Sequence, residues 1–459
     1  MLDSLVVGAY ASSHTGVRTY IAQLDSTAQL DSLVAMDRGG DRKVAVVNEL
    51  LRANAETMTG VAPALDALKA QGLIASYEVD ALSNSVIYDV PDAKAAESWK
   101  AINKIEGIAR VLRNREVHLT PVEDARTGAA SVTEFPTGNE WNVEKVNAPA
   151  VWAQGFNGTG VTVGIVDTGS DVSHPLLHDK YRGTNADGTQ SDDYNFHDEV
   201  NKKTAPYDDN NHGTHVTGTV LGSTATYDTG IAPGAKFITS KILSGSGSGT
   251  MAGVLKGLAW MLAPTKSDGT APDPTKAPDI ISNSWGSNDG KSTAFAALLK
   301  SFVAAGIEPV FAAGNAGPRA GSVGSPGSDP SAITVASTDK DDKVSSFSSR
   351  GPSPLPAADG SDHKPDISAP GRDITSSFPG GGLGTISGTS MATPAVSGVI
   401  ALLLSKHKDL THEEIVKAIT TSARDIDAPG WDYNSGAGLI DAAAALKAAD
   451  ALVAARTPH

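Results

Sequence analysis

Beyond residue 141 the sequence alternates two kinds of apolar segment, and this alternation constrains the fold more than any single residue does. Runs of strand length ("VTVGIVD", "KFITSKIL", "PDIISNSW", "IEPVFAAG", "AITVAST") are separated by helical stretches such as "TMAGVLKGLAWML" and "TAFAALLKSFVAAG". Strands this apolar must be buried on both faces, and helices between them can supply the cover. The pattern predicts an α/β domain with a largely parallel, twisted sheet and helices on both faces. Such sheets bind ligands at the carboxyl ends of their strands. Polar residues just past the apolar runs are therefore the first candidates for chemistry. Further on, "THEEIVKAITTSA" opens with Thr411 and Glu414 at capping-box spacing, so a helix starts there.

Residues 1–118 follow another pattern. "KVAVVNELLRANAETM" and "APALDALKAQGL" carry helical periodicity, and "IASYEVDALSNSVIYDV" alternates as strands do. "AKAAESWKAINKIEG" is helical again, and "IARVLRNREVHL" reads as a strand. A small, separate α+β domain is expected. Residues 119–140 form a linker, because "TPVEDARTGAASVTEFPTGNE" gathers Pro, Gly, Ser, Thr and acidic residues. The α/β domain then occupies 141–459.

Composition narrows the function. With 40% apolar and 19% charged residues, the 459-residue chain can build a sizeable core. A formal charge of −15 argues against nucleic acid or an anionic membrane as partner. The chain has no cysteine, which excludes disulfides, thiolate metal sites and a cysteine nucleophile. The opening "MLDSLVVGAYASSHTG" carries Asp3 and no basic flank, so no leader is visible. No run of about 18 apolar residues is evident, and no transmembrane helix is expected.

Four polar residues stand where chemistry could occur. Asp167 ends "VTVGIVD" before a Thr-Gly turn; alone, it reads as an Asx-turn residue closing a strand. His212 opens "HGTHVTGT", with His215 three residues on. The two could be a metal pair, but the HExxH pattern is missing and no acidic third ligand has a fixed spacing. His215 reads as structural. Asn315 in "VFAAGNAGP" reads in isolation as a turn residue. Ser390 in "SGTSMATPAVSG" sits where a turn becomes an apolar helix, and could simply cap it. Together they supply more: an orienter (Asp167), a base (His212), a nucleophile (Ser390) and a neutral oxyanion donor (Asn315).

The order Asp, His, Ser is that of subtilisin, and the chain closely resembles the subtilisin-like serine peptidases. The resemblance rests on "VGIVDTGSDVSHP", "HGTHVTGT", "GIAPGAK", "ISNSWG", "FAAGNAGP", "FSSRGP", "PDISAPG", "SGTSMATPAVSG" and "GAGLIDAAAAL", spread over roughly 140–445. It implies a subtilisin-like fold and a serine endopeptidase acting through an acyl-enzyme, with Asp167, His212 and Ser390 as triad and Asn315 at the oxyanion. Substrate backbone would be gripped by Gly247, Ser248 and Gly249 on one side and by Ser284, Trp285 and Gly286 on the other. The pocket for the residue before the scissile bond would lie against Ala312, Ala313 and Gly314, with Gly324 near its floor. Ala316 follows Asn315 where an acidic wall residue could stand, which favours an apolar or broad preference.

Residues 1–118 resemble, more loosely, the inhibitory prodomain of secreted members, so a self-processing precursor is implied, cut in the linker and acting as a monomer outside the cell. A cytoplasmic place is compatible with a chain that displays no leader. No cofactor is needed for the chemistry. Structural calcium is usual in the family, but its Asn-rich loop after the histidine helix is replaced here by "GSTATYDTGIAPG". The acidic "SDDYNFHDE" at 191–199 could hold an ion or be a solvated loop; the second is the simpler reading. A peptide ligase on the same fold, and a binding protein on a degenerate protease fold, are the alternatives.

Overall fold

The computed structural model describes residues 16–119 and 134–456. The chain divides into two compact units, the smaller drawn from residues up to 28 and from 50–115, the larger from 29–49 and from 116 onward.

The smaller unit contains β1 (Val17–Leu24), most of α1 (Gly40–Ala70), β2 (Ser76–Asp80), β3 (Ser85–Pro91), α2 (Ala95–Ile102) and β4 (Ile108–Arg113). Its strands pair antiparallel in the order β2-β3-β1-β4, around a core that includes Ala22, Val61, Leu65, Tyr88, Ile102 and Val111. Two expected helices are one. Pro63 lies inside α1, but Val61 and Leu65 on either side of it are fully buried. Burial of that apolar face outweighs the missing N–H and the kink a proline favours. The run expected as one strand at 108–119 also differs. It breaks after Arg113, and Glu116–His118 (β5) pairs within the larger unit instead.

After β5 the larger unit runs through β6 (Gly138–Asn139), α3 (Trp141–Lys145), α4 (Pro149–Trp152), β7 (Thr162–Asp167), β8 (Phe196–Asp198) and α5 (His212–Leu221). Then come β9 (Tyr227–Asp228), β10 (Lys236–Lys241), β11 (Ser248–Thr250), α6 (Met251–Leu262), β12 (Ile280–Asn283), α7 (Ala296–Ala304) and β13 (Glu308–Ala312). The chain continues with β14 (Ile333–Thr338), β15 (Ile367–Pro370), β16 (Ile374–Phe378), β17 (Gly382–Ile386), α8 (Thr389–Lys406), α9 (His412–Thr421) and α10 (Ala442–Ala454). The linker expected through residue 140 ends earlier: β6 pairs with β9, and Phe135 stacks on Tyr227 at 6.0 Å. Residues 120–133, where most of the strap was expected, lie outside the described residues.

Among the described residues the main sheet has seven strands in the order β15-β14-β13-β12-β7-β10-β8, every pair parallel. All five apolar runs expected as strands are in it. The two unexpected strands, β8 and β15, are short and carry Asp, His, Ser or Pro, too little for a periodicity to register. From β7 the chain builds outward through β10 on one side and β12 on the other. The order therefore reverses at β7, and the carboxyl ends there are where sheets of this kind bind ligands.

Helix α8 runs through the core. Contrary to the expectation from the sequence, it is long and apolar enough to cross a bilayer by length and composition, but it is almost wholly buried inside the unit. Residues including Met391, Val396, Val399 and Leu403 pack with Val163, Ile280, Val310 and Val335 of the sheet.

Candidate active site

Asp167 is the last residue of β7 and is fully buried. Its Oδ1 accepts from the Thr168 backbone N–H at 2.7 Å and lies 2.8 Å from His212 Nδ1. This approach depends on two glycines. Gly169 has φ 101°, and a Cβ there would lie 2.0 Å from the Tyr207 carbonyl oxygen. A Cβ on Gly213 would lie 1.9 Å from the Gly169 carbonyl oxygen. The "DTG" and "HGT" motifs thus let the start of α5 meet the end of β7 at backbone contact.

His212 is the first residue of α5, and Asp208 fixes that helix end. Asp208 Oδ2 accepts from the Thr214 N–H and hydroxyl, at 2.9 and 2.7 Å. Its Oδ1 accepts from Thr168 Oγ1 and from the backbone N–H groups of Asn210 and Asn211. These are the orphan donors of a helix N-terminus and the turn before it. Burial opposes the His212 imidazolium, but the Asp167 carboxylate and, further off, Asp208 overcome it, and the pKa is raised. His212 Nε2 is buried with no partner among the described residues. His215 faces away: its Nε2 meets the Ile374 and Gly384 carbonyls at 3.0 and 3.1 Å, and burial pushes its pKa down to about 3. The two histidines are not a metal pair, and His215 ties α5 to the β16–β17 hairpin.

Ser390 lies in the first turn of α8, 2% exposed. Pro394 cannot donate to the Ser390 carbonyl as a helical residue four positions on would. Ser284 Oγ donates to that carbonyl instead, at 2.8 Å, and Ser390 Oγ donates to the Ser284 carbonyl at 3.0 Å. The reciprocal pair ties the nucleophile candidate to the segment after β12. No hydrogen bond joins Ser390 to His212 in this state.

Asn315 is turned by Thr389. Its Oδ1 accepts from the Thr389 N–H and hydroxyl, at 2.9 and 2.8 Å, which fixes the plane of the amide. A Cβ placed on Gly388 would be 3.4 Å from Asn315 Nδ2 and 3.5 Å from the Ser390 backbone nitrogen. The Asn315 amide nitrogen and the Ser390 backbone nitrogen thus both lie close to Gly388, at the N-terminus of an 18-residue helix, where partial positive charge favours an anion.

The expected backbone grips are extended and close to each other. Strand β5 pairs antiparallel with β11, with His118 opposite Ser248, Val117 opposite Gly249 and Glu116 opposite Thr250. The Leu119 N–H donates to the Gly247 carbonyl at 2.8 Å, and His118 also bridges Gly286. Residues 116–119 thus lie as a middle strand between the two predicted grips. Gly324 joins both sides of the expected pocket: its N–H donates to the Ala313 carbonyl at 3.1 Å, and a Cβ on it would meet the Ser287 carbonyl oxygen at 2.1 Å. Ala312 and Ala313 are buried beside it, and Gly314 donates to Thr389 Oγ1. The Trp285 side chain is buried against Phe295 and Phe311, which leaves the expected grip at 284–286 to the backbone.

Asp208 and Lys241 are site residues that the sequence reading passes over. Lys241 is fully buried in register with Asp167, and its Nζ donates to the Thr168 carbonyl, the Leu243 carbonyl and Asp209 Oδ1. A lysine inside the otherwise apolar "KFITSKIL" is the available signal. The acidic 191–199 segment spends its carboxylates on neighbours: Asp193 on Ser267, and Asp198 on the N–H groups of Val200, Asn201 and Lys203. Among the described residues no group of three His, Asp or Glu is placed to hold a metal ion.

Comparison with known proteins agrees with this geometry. The model of the subtilase family matches residues 158–438. Bacillopeptidase F of Bacillus subtilis (strain 168) is 40% identical over 328 residues, 68% of this chain but only 22% of that much longer protein. Subtilisin E of the same organism is 31% identical over 378 residues, 80% of this chain and 87% of its own. Serine protease AprX, also of B. subtilis (strain 168), is 37% identical over 291 residues, covering 57% of this chain and 61% of its own. Subtilases need no cofactor for catalysis, and their substrates are proteins. A parallel sheet whose strand order reverses at β7, a buried Asp–His pair at that point and a serine at a helix start agree with these matches: the chain belongs to the subtilase family of serine endopeptidases.

Proposed function

We propose that this chain is the self-processing precursor of an endopeptidase in which Ser390, His212 and Asp167 act as nucleophile, base and orienter. Rotation about the Ser390 Cα–Cβ bond takes Oγ from the Ser284 carbonyl toward His212 Nε2. Oγ attacks the peptide carbonyl as its proton passes to Nε2; the same proton then goes to the leaving amine, and water releases the acyl group by the reverse path. Asp167, at 2.8 Å from Nδ1, fixes the tautomer that leaves Nε2 as acceptor and stabilises the imidazolium. Asn315 Nδ2 and the Ser390 N–H receive the negative oxygen. Small backbone-lined walls at Ala313, Gly314 and Gly324 favour a broad, apolar preference. Export belongs to the same reading, because an attached inhibitor would delay so broad an activity until the enzyme leaves the cell.

The observation that carries the precursor reading is the position of residues 116–119, hydrogen-bonded as an added strand to Gly247 and β11 and bridged to Gly286. A peptide bound in this way meets affinity through main-chain bonds and little demand on sequence. Chain that follows residue 119 would then supply the bond to be cut. The test is mass spectrometry of two proteins purified identically. The unaltered chain should yield two fragments divided after residue 118 and before 140, and Ser390→Ala a single uncut chain. Equal processing of both would assign the cut to another protease. An active but uncut chain would make residues 1–118 a permanent domain.

A further inference from the structure

Residues 36–43 carry three cations whose contacts have nothing to do with the cleft. Arg38, only 8% exposed at its side chain, donates from Nη1 to Glu308 Oε1 at 2.9 Å and to the Leu410 carbonyl at 2.8 Å. Its Nη2 reaches the Gly306 and Asp279 carbonyls. Arg42 is buried and donates to the carbonyls of Ala304 and Val303, at 2.6 and 3.1 Å. Lys43, also buried, donates to the Ala277 carbonyl at 2.9 Å and to Asp279 Oδ1 at 3.3 Å. Gly40 completes the fit, since a Cβ there would lie 3.3 Å from Thr275 Cγ2.

The acceptors share one place in the larger unit. Val303 and Ala304 end α7, so their carbonyls are orphans of a helix C-terminus, where cations are favoured. Asp279 immediately precedes β12, and Glu308 opens β13. This is the amino-terminal end of the strands whose carboxyl ends carry the active site. Glu308 is fully buried; burial pushes its carboxyl up, but His412 and Arg38 overcome this and hold it at about 2. A buried carboxylate with two cationic partners is a built acceptor site, and removing one partner from such a pair is costly.

We infer that this surface, formed by Glu308, Asp279 and the end of α7, is a second docking site on the catalytic unit for its own N-terminal segment, and that Arg38, Arg42 and Lys43 keep that segment bound after the chain is cut between 118 and 140. The inference rests on the precursor reading only for the existence of such a cut. The strand at 116–119 occupies the cleft and must compete with substrate. The basic hook engages the opposite end of the sheet and does not. Retention of the fragment would therefore outlast its displacement from the cleft.

The test uses the full chain with Ser390→Ala and a recognition sequence for a site-specific protease placed within 120–133. After cutting by that protease, loss of the N-terminal fragment is followed by gel filtration over time. Replacing Arg38, Arg42 and Lys43 together by Met should speed that loss at least about tenfold, as truncation of buried charge pairs acts mainly on dissociation. An unchanged rate, with circular dichroism and melting matching the parent, overturns the inference. Should the triple variant fail to fold, hydrogen exchange in the cut parent decides. Protection of amides in 36–43 that survives the cut supports the hook, and its loss while the fragment stays bound overturns it. Because the added protease makes the cut, failure of the hook is read separately from failure of self-processing.

Discussion

The larger unit buries two histidine–carboxylate pairs at opposite ends of the same sheet. His212 Nδ1 lies 2.8 Å from Asp167 at the carboxyl end of β7, and His412 Nδ1 lies 2.7 Å from Glu308 at the amino end of β13. In both, burial opposes the imidazolium and the carboxylate overcomes it, so both histidines have raised pKa values. The pairs differ in what surrounds them. Glu308 spends its second oxygen on Arg38, and the group closes as a cross-brace between α9, β13 and residues 36–43. The first pair instead leaves Nε2 facing no partner among the described residues. An Asp–His contact is therefore not itself a catalytic signature. Catalysis needs the far nitrogen kept available beside a nucleophile and an oxyanion site.

The sharpest way to break that comparison is to delete each imidazole. His212→Ala should lower kcat on the order of 10⁴ or more, in line with the known effect of losing the base in subtilisin. His412→Ala should instead appear in urea unfolding, as a loss of about 2 kcal/mol, the range for a hydrogen bond to a charged group. Glu308 would still keep Arg38. A comparable fall in kcat for both variants would dissolve the distinction between a working pair and a brace.

A smaller effect separates the oxyanion site from substrate binding. Asn315→Ala should reduce kcat on the order of 10²–10³ with little change in KM, again the size known for this donor in subtilisin. On the proposed mechanism, Nδ2 and the Ser390 N–H meet full negative charge only as the carbonyl becomes tetrahedral. Alanine also frees Thr389, which now donates twice to Asn315. Peptide hydrolysis measured over a range of substrate concentrations distinguishes the two, and a change confined to KM would place Asn315 in ground-state binding.

Both the parallel sheet and the meeting of Asp167 with His212 were legible in the sequence because each rests on local pattern. Strands buried on both faces must be apolar throughout, and "DTG", "HGT" and "GTS" mark backbone approaches that leave few other residues possible. What was not legible depends on distant partners. Asp208 and Lys241 look like ordinary charges until α5 and β10 are seen beside Asp167. The packing of the Trp285 ring edge-to-face with Phe295 and Phe311 likewise carries no local signal. Pro63 suggested two helices because propensity cannot weigh a buried face against one lost bond. Arg38, Arg42 and Lys43 carry no local signal of their role, since the carbonyls that receive them lie 372, 262 and 234 residues further along the chain.

The finest test bears on the charge around His212. The base must be neutral to accept a proton, and its pKa is raised by Asp167 first and Asp208 second against the effect of burial. The rising limb of kcat/KM should accordingly lie above the ordinary histidine value of about 6.5. The same shift acts on stability with the opposite sense. A histidine whose folded pKa exceeds its unfolded one contributes stability fully below about 6.5, and that contribution is lost as pH rises through the folded value. Activity should therefore appear over the interval in which this contribution to stability declines. Asp208→Asn removes one negative charge and should move the limb down, by less than loss of Asp167 would, because Asp167, the larger influence, remains. The variant also weakens the N-terminal bonds to Thr214, so its melting temperature is measured alongside. A limb that stays in place while melting falls would make Asp208 a helix cap alone, and the electrostatic difference between the two histidine pairs would then rest on Asp167.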